Sequence, residues 1–482
     1  MLIALLAFAT AAAPTCKPTS GDASALLRRA ADAIGMSRAG GRVLRVNGTD
    51  ITTHDYESDR PYLPYILQPS RFVEWFDAAS GADRISTSES MVGGYEYGSS
   101  TTLGSRIASY GVRDTSLFPS ATLHNELDAR RPLNVWAVVA DWSAAGDARV
   151  ARICNLREYP RLVLTRSGDH GTEQLYIDQK SGYPVALERR EAHYLWGQTD
   201  VQYVYATWLR SGGAHVPGTA TRLVDGLPEV TRSFGRVELI QADSAPRLTL
   251  PPNAAPMKRE TPAFLVPSTP DTIRVSPTTV LLRNPGFQET LTLAHDTVFV
   301  FDATQGDARA RQDSAWIGTL FPGKHPIALV VTDLAWPHVA GVRYWVAQGA
   351  TIISHRASRS FLERVIDRRW TDAPDVLERA RSRGVTLKFR AVDDSLRLAS
   401  GAITLFAIDG PSSEGALAAF VHGDRFLWAS DFVQSLQRPT QYLDETRAAV
   451  QRMGYAPTRV AAEHLPLSDW SATTRLDRQV VP

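Results

Sequence analysis

The stretch that decides the fold of this chain is FVFDATQGDARARQDSAWIGTLFPGKHPIALVVTDLAWPHVAGVRYWVAQGATIISH, residues 299–355. Short apolar runs at its start, at Ile327–Val331 and near its end have the length and composition of buried strands. The residues between these runs are typical of helices and turns. Because strands that alternate with helices form sheets covered by helices, the stretch predicts that arrangement.

The same alternation continues on both sides of this stretch. The predicted strands are Thr279–Leu282, Val298–Phe301, Ile327–Val331, Thr351–Ile353 and Ile403–Ile408. The predicted helices are His338–Gln348, Phe361–Trp370, Val376–Arg383 and Tyr442–Met453, and Gly384 and Gly454 follow the last two as helix-ending residues.

Three segments resemble motifs of the metallo-β-lactamase fold. The loop after the strand at Ile327–Val331 reads TDLAWPHVAG, residues 332–341, where that family has T-H-x-H-x-D-H-x-x-G. Residues 408–433, IDGPSSEGALAAFVHGDRFLWASDFV, resemble the family's G-P-x-H block and the strand pair that follows it. Residues 461–466, AAEHLP, resemble its G-H-x-P element. The resemblance implies an αββα sandwich over residues 278–482.

The resemblance also implies a degenerate metal site. In the family, three histidines hold the first of two metal ions, and their positions are occupied here by Asp333, Ala335 and Ser412 (or Ser413, if the register shifts by one). None of these side chains is an imidazole. We therefore expect the first metal site to be lost, and with it full dinuclear hydrolase activity.

The second metal site keeps more of its implied ligands. Its four positions hold Pro337, His338, Asp431 and His464. Two imidazoles and one carboxylate suit a single zinc ion and leave a fourth position for water, and Asp333 is a further candidate oxygen ligand. Pro337, in contrast, carries no carboxylate and fixes its own φ. Glu463, next to His464, could orient that imidazole or face water, and water is favoured.

Two functions remain open for this half of the chain. One is a non-catalytic protein whose cleft holds a ligand or a partner, and the other is a mononuclear zinc hydrolase of an ester or an amide, in which the metal lowers the pKa of a bound water. Each candidate ligand also has a structural interpretation, such as beginning a helix or bonding to the backbone. The sequence contains no G-x-S-x-G, P-loop, G-x-G-x-x-G or H-E-x-x-H motif.

Residues 20–245 predict a mainly antiparallel β domain that begins with one helix. Ser20–Gly35 has helical spacing of apolar residues, and short alternating runs follow it. This pattern faintly resembles the half-barrel domains of outer-membrane lipoprotein carriers, which implies a lipid-like or small-molecule ligand; an ordinary antiparallel β domain is the alternative. Five aromatic residues could line such a cavity or fill a core: Tyr194, Trp196, Tyr203, Tyr205 and Trp208.

Residues 246–277 contain eight prolines, a density that cannot sustain a helix or an interior strand. We interpret them as the linker between the β domain and residues 278–482.

Residues 1–13 predict a signal peptide, because residues 2–13, LIALLAFATAAA, form an uncharged apolar run too short to span a bilayer. The mature chain is then exported, to the periplasm or outside the cell, without a transmembrane helix. Cys16 and Cys154 are the two cysteines. Simple cleavage is favoured over a lipid anchor at Cys16, and a small buried apolar role for Cys154 is favoured over a disulfide between the two.

Composition sets the remaining limits. Hydrophobic residues make up 44% of the chain and charged residues 21%, which is typical of a globular protein. The formal charge is +1, so no basic surface for a nucleic acid is predicted.

Overall fold

The structure, a computed structural model, describes residues 15–54, 66–91, 95–113, 116–120, 127–156, 159–255, 269–284, 287–410, 414–433 and 440–473. The predicted signal peptide at 1–13 and Ser412 lie outside these residues, as does the side chain of Pro337.

The amino-terminal half is one antiparallel sheet of fourteen strands, in the order β1-β8-β9-β10-β11-β12-β13-β14-β2-β3-β4-β5-β6-β7. Its strands are β1 Thr15–Pro18, β2 Val43–His54, β3 Ile66–Phe76, β4 Asp83–Met91, β5 Tyr95–Gly104, β6 Ser109–Arg113, β7 Ser116–Pro119, β8 Arg149–Leu156, β9 Tyr159–Gly168, β10 Gly171–Asp178, β11 Pro184–His193, β12 Gly197–Ser211, β13 Ala214–Val224 and β14 Leu227–Ile240. The prediction of a mainly antiparallel β domain is confirmed.

The predicted opening helix is also confirmed, as α1 Ala23–Ile34. The carboxylate of Asp22 accepts a hydrogen bond from the backbone of Ala25 at 3.0 Å and so caps the first turn. Gly35, at φ 85°, ends the helix in the left-handed region that glycine tolerates. The face with Leu27 and Ile34 is buried in the core of the sheet.

A second helix, α2 Val135–Ala145, packs against α1 and the sheet, and the sequence analysis missed it. Its residues are apolar on almost every side, so they lack the polar stripe that reveals a surface helix. Tyr203 and Tyr205 of β12 belong to the same buried cluster. Their hydroxyls donate to the carbonyls of Ala129 and Pro132 at 2.8 and 2.7 Å. These two aromatic residues therefore fill a core.

The favoured interpretation of the cysteines is wrong, because Cys16 and Cys154 form a disulfide. Strand β1 pairs with β8 in a register that places Cys16 directly opposite Cys154. Cys154 is buried, as predicted, with 4% of its surface exposed. Sequence spacing could not reveal the bridge, because the two residues lie 138 positions apart and meet only through the strand pairing.

The carboxy-terminal half contains two further sheets. The first has seven strands in chain order, β15 Asp271–Arg274, β16 Thr279–Asn284, β17 Phe287–Ala294, β18 Thr297–Phe301, β19 Ile327–Val331, β20 Thr351–His355 and β21 Lys388–Val392, of which β18 to β21 are parallel. The second has six, β22 Ser395–Leu398, β23 Ile403–Ala407, β24 Leu417–Val421, β25 Phe426–Trp428, β26 Arg459–Ala461 and β27 Ser468–Asp469. Strands β25 and β26 are parallel.

The helices of this half are α3 Asp307–Leu320, α4 Trp336–Val339, α5 Val342–Ala347, α6 Arg359–Asp367, α7 Val376–Ala380, α8 Gln441–Arg452 and α9 Trp470–Thr473. One buried cluster joins α3, α5, α6 and α7 to the seven-stranded sheet. A second joins the two sheets to each other, and a third joins the six-stranded sheet to α8. The structure is therefore mixed α/β, with helices on sheet faces as the sequence predicts.

The helix predicted at His338–Gln348 is in fact two short helices, α4 and α5, separated at Gly341. The amide of Gly341 donates to the carbonyl of Ala303 at 2.7 Å, and the amide of Ala303 donates to the carbonyl of His338 at 2.8 Å. These bonds to the residues after β18 replace bonds within a continuous helix. They hold His338 against the end of that strand.

The two halves meet where the turn between β11 and β12 packs on α6. Leu195 is fully buried in the cluster that contains α6. The ring of Trp196 lies edge-on to Phe361, with 5.5 Å between ring centroids. Arg368 donates to the carbonyls of Trp196 and Gln198 at 3.0 and 2.6 Å.

We expect Gly197→Ala to weaken this contact. Gly197 has φ 70°, and an added Cβ would lie 2.8 Å from the ring of Trp370. Gly226→Ala is the matched control, because Gly226 has φ 82° but nothing within 4 Å of the added Cβ. Overpacking typically costs about 1–3 kcal/mol, so Gly197→Ala should lose that much more free energy of unfolding than the control in urea titrations. Equal losses would show that Trp370 moves freely and that the halves are loosely joined.

Candidate functional site

The candidate site lies where four strands of the two sheets end. Asp302 follows β18, and Thr332 with Asp333 follow β19, its parallel neighbour. Ser430 with Asp431 follow β25, and Glu463 with His464 follow β26, again a parallel pair. Because parallel strands end at the same edge of a sheet, the topology collects these side chains in one place.

The structure brings three of the predicted ligands together. One ligand atom each from His338, Asp431 and His464 lies within 4.8 Å of the others. The Nε2 atom of His464 is 3.4 Å from Oδ1 of Asp431, and His464 is the more exposed of the two side chains. Zinc ligation requires each ligand atom to lie about 2.0–2.2 Å from one point, so a modest closure of this group could hold a metal ion.

His338 is held at both ring nitrogens by carboxylates. Its Nδ1 lies 3.1 and 3.2 Å from the two oxygens of Asp333, and its Nε2 lies 2.5 Å from Oε2 of Glu463. The side chain is 2% exposed. Burial lowers the pKa of His338, but the two carboxylates outweigh it and raise that pKa well above its usual value. This direction favours the imidazolium form, in which Nδ1 donates to Asp333 and Nε2 contacts Glu463.

Glu463 is the functional neighbour that sequence reasoning missed. It was predicted to face water, yet it is fully buried. Burial raises the pKa of its carboxyl well above the usual range, although the charge of His338 opposes the rise. Among the described residues, neither carboxyl oxygen of Glu463 has a hydrogen-bond partner, so its contact with Nε2 of His338 is an ion pair by distance alone. The residues around position 463 do not indicate whether a glutamate after β26 points into the protein or out to water. Only the positions of His338 and Asp333 in the structure show that Glu463 belongs to the site.

Asp333 connects His338 to a chain of hydroxyl groups. The contacts in this chain are 2.5 Å from Asp302 Oδ2 to Thr332 Oγ1, 2.7 Å from Thr332 Oγ1 to Ser430 Oγ, and 2.6 Å from Ser430 Oγ to Asp333 Oδ2. Three such contacts need three hydrogens, and the two hydroxyls supply only two. A protonated carboxyl at one end of the chain supplies the third hydrogen; otherwise the hydroxyl of Thr332 shares its single hydrogen between Asp302 and Ser430.

Asp302 is the carboxyl that fits this role. Burial and the nearby charge of Asp333 raise the pKa of Asp302 to about 7, whereas hydrogen bonds and His338 lower the pKa of Asp333. Asp302 also accepts from the indole of Trp428 at 2.8 Å and from the amide of Thr332 at 2.7 Å. The network therefore joins the ends of β18, β19 and β25 through one shared set of protons.

Ala335, which replaces an implied histidine ligand, lies in a packed part of the site. Ala335 is buried, and its amide donates to Oδ1 of Asp333 at 2.7 Å, a bond that shapes the loop before α4. The ring of Phe287 lies 5.9 Å from that of His338 and 5.0 Å from that of His464, between centroids. Phe287 thus covers the two imidazoles, and His464 with Asp431 form the more accessible end of the site.

Some of the side chains of this site suit a metal ion, and the state of His338 opposes one. Imidazole nitrogen and carboxylate oxygen suit zinc, and the unpartnered oxygen of Glu463 would suit a cation. His338, however, must be neutral to ligate a metal, and here its Nδ1 bonds to one carboxylate and its Nε2 contacts another. A metal at Nε2 would have to replace the contact between His338 and Glu463.

No family model matches the chain, and no curated protein matches it. Among solved structures, the crystal structure of DIM-1 metallo-β-lactamase is similar at 14% identity and a TM-score of 0.34, over 43% of this chain and 94% of that one. TMB-1 is similar at 12% identity and a TM-score of 0.33, over 43% and 94%. VMB-1 is similar at 11% identity and a TM-score of 0.34, over 42% and 93%.

Two properties of the described residues bear on partners. None of their helices is both long and apolar enough to cross a membrane. Nothing in this part of the chain indicates nucleic-acid binding, in agreement with a formal charge of +1.

Proposed function

We propose that residues 278–482 form an αββα sandwich of the metallo-β-lactamase type with a degenerate metal site. The succession of buried clusters, from helices to sheet, from sheet to sheet and from sheet to helix, supports this architecture. So does the collection of the motif residues at the carboxyl ends of β18, β19, β25 and β26. Residues 20–245 precede it as a separate domain. The linker predicted at 246–277 lies between them, but its end belongs to the sandwich, because β15, Asp271–Arg274, is a strand of the seven-stranded sheet.

We further propose that this cleft binds a small molecule or a partner and lacks dinuclear hydrolase activity. The observation that carries this proposal is the engagement of both nitrogens of His338 by Asp333 and Glu463. An imidazolium between two carboxylates offsets one of their two charges without a metal ion. At two of the other implied ligand positions, Ala335 and Pro337, the side chain has no metal-binding atom.

The test is the metal content and metal response of the purified full chain. We expect elemental analysis to find far less than one zinc or iron ion per chain, both as purified and after dialysis against zinc. A chelator should leave the melting temperature unchanged, and hydrolysis of p-nitrophenyl acetate should not exceed the rate without protein. One tightly held ion per chain together with chelator-sensitive ester hydrolysis would refute the proposal.

A single-metal hydrolase is the second candidate, and the mutual distances within 4.8 Å among His338, Asp431 and His464 favour it. Glu463 could then supply the carboxylate that Pro337 lacks. A zinc ion in such a set lowers the pKa of a bound water and so supplies hydroxide. His464→Gln would then abolish both metal binding and hydrolysis, whereas the binding proposal expects no change in either.

Export of the chain and a ligand for the amino-terminal half are further parts of the proposal. A structural disulfide persists in oxidising compartments, so the Cys16–Cys154 bridge supports a periplasmic or secreted location.

The large antiparallel sheet with α1 and α2 on one face is compatible with a half-barrel that takes a lipid-like molecule. A ligand there must displace or pack beside α2, because the described apolar residues of that face already pack against it.

A further inference from the structure

Strand β1 is attached to the edge of the fourteen-stranded sheet by very little besides the disulfide. All four of its residues are exposed, so it buries almost no apolar surface. Pro18 has no amide hydrogen to donate to β8, and the next residue, Thr19, makes one bond to the carbonyl of Ala151 at 3.2 Å. The pairing alone is therefore a weak attachment.

The elements on both sides of β1 are held independently of it. Helix α1 is fixed by the Asp22 cap and by its buried face, which includes Leu27 and Ile34. Strand β8 keeps its antiparallel pairing with β9 on its other side. Loss of β1 would therefore leave the core intact and would turn β8 into an open edge of the sheet, with unpaired backbone groups.

We propose that the Cys16–Cys154 disulfide is a redox latch that holds β1 over the edge of the sheet. Reduction by a dithiol opens the latch, which frees residues 15–20 and exposes β8. The attacking thiolate bonds to the sulfur of Cys16, the residue on the exposed strand, and Cys154 leaves as a thiolate. The second thiol of the reductant then displaces Cys16, so the dithiol becomes a disulfide and the protein gains two thiols.

This latch is separate from the site formed by His338, Asp431 and His464. Its two cysteines lie in β1 and β8, whereas that site lies at strand ends of the other two sheets. Whether the disulfide acts as a latch therefore does not depend on whether the site binds a metal.

Hydrogen exchange of the full chain, with and without dithiothreitol, tests the latch. Within residues 149–156, we expect the amides that face β1 to exchange at least about tenfold faster after reduction, because local opening needs no unfolding of the core, whereas the amides bonded to β9 stay protected. Exchange in 23–34 and 227–240 should stay the same. Cys16→Ser should show fast exchange at 149–156 in either condition. Lys17→Gln, on the same strand with the disulfide intact, should behave as the parent protein.

Three results would overturn the latch. Two free thiols in protein purified without reductant would mean that the bridge does not form. Unchanged protection of 149–156 after both thiols are released would mean that β1 stays in place without it. A general rise in exchange, including residues 227–240, would mean that the disulfide maintains the whole sheet.

Discussion

We expect Arg232→Met to lower the free energy of unfolding of the amino-terminal half by about 3–5 kcal/mol, the range for removing one partner of a buried ion pair. Arg232 is fully buried. It donates to both oxygens of Asp50 at 2.8 Å and to Glu74 at 2.8 Å, and its guanidinium lies 4.0 Å from the ring of Phe72. Asn134, which caps α2, donates to the other oxygen of Glu74 at 2.6 Å. The substitution leaves two buried carboxylates without their cation.

The matched control is Arg45→Met. Arg45 and Glu238 also face each other across β2 and β14, with 2.7 Å between their charged atoms, but their side chains are 31% and 27% exposed. Such a pair contributes about 1 kcal/mol or less. Urea titrations followed by circular dichroism give both losses. Combining Arg232→Met with Asp50→Asn and Glu74→Gln should recover part of the loss. Equal effects of the two arginine substitutions would contradict the electrostatic explanation.

Much of the local structure could be predicted from sequence, because it depends on neighbouring residues. The cap at Asp22 and the stop at Gly35 define α1, and the apolar run Ile327–Val331 is strand β19 with the predicted bounds. Motif order also brought His338, Asp431 and His464 into one group before any distance was known. These predictions succeed where propensity and spacing agree with the tertiary structure.

The errors all concern contacts between distant parts of the chain. Cys16 meets Cys154 through strand pairing, α2 is apolar because it is enclosed by a sheet, and the helix after Pro337 breaks because Gly341 bonds to Ala303. Glu463 was assigned to water because glutamate is mostly exposed. It is buried against His338, which lies in α4, after a strand of the other sheet. The single sequence contains no signal for such pairings.

His338→Gln should lower the free energy of unfolding of the carboxy-terminal half by about 3 kcal/mol at pH 6, because it removes the cation between two buried carboxylates. The pKa of His338 is raised on folding, so its contribution is complete below the pKa of the unfolded side chain, 6.5, and is lost as pH rises through the folded pKa. The difference between variant and parent should therefore shrink as pH rises. Urea titrations at a series of pH values measure it.

Asp302 adds a pH dependence of the same sign in the parent protein. Its pKa rises from 3.8 to about 7 on folding, so the folded state binds more protons across this window and the free energy of unfolding falls as pH rises through it. Asp302→Asn should flatten the curve between these values. Equal slopes for the parent and Asp302→Asn over this window would contradict a protonated Asp302.

The same variants separate the two candidate functions. His464 is 33% exposed and Asp431 is 18% exposed, so without a metal His464→Gln should cost about 1 kcal/mol or less, far below His338→Gln. If one zinc ion joins His338, Asp431 and His464, the two substitutions should destabilise the protein by similar amounts, and a chelator should abolish the difference between parent and variants. If His338→Gln loses much more free energy of unfolding than His464→Gln, and a chelator changes neither loss, then His338 is an imidazolium held by Asp333 and Glu463. Only that arrangement makes the first histidine necessary for stability and the second one unnecessary.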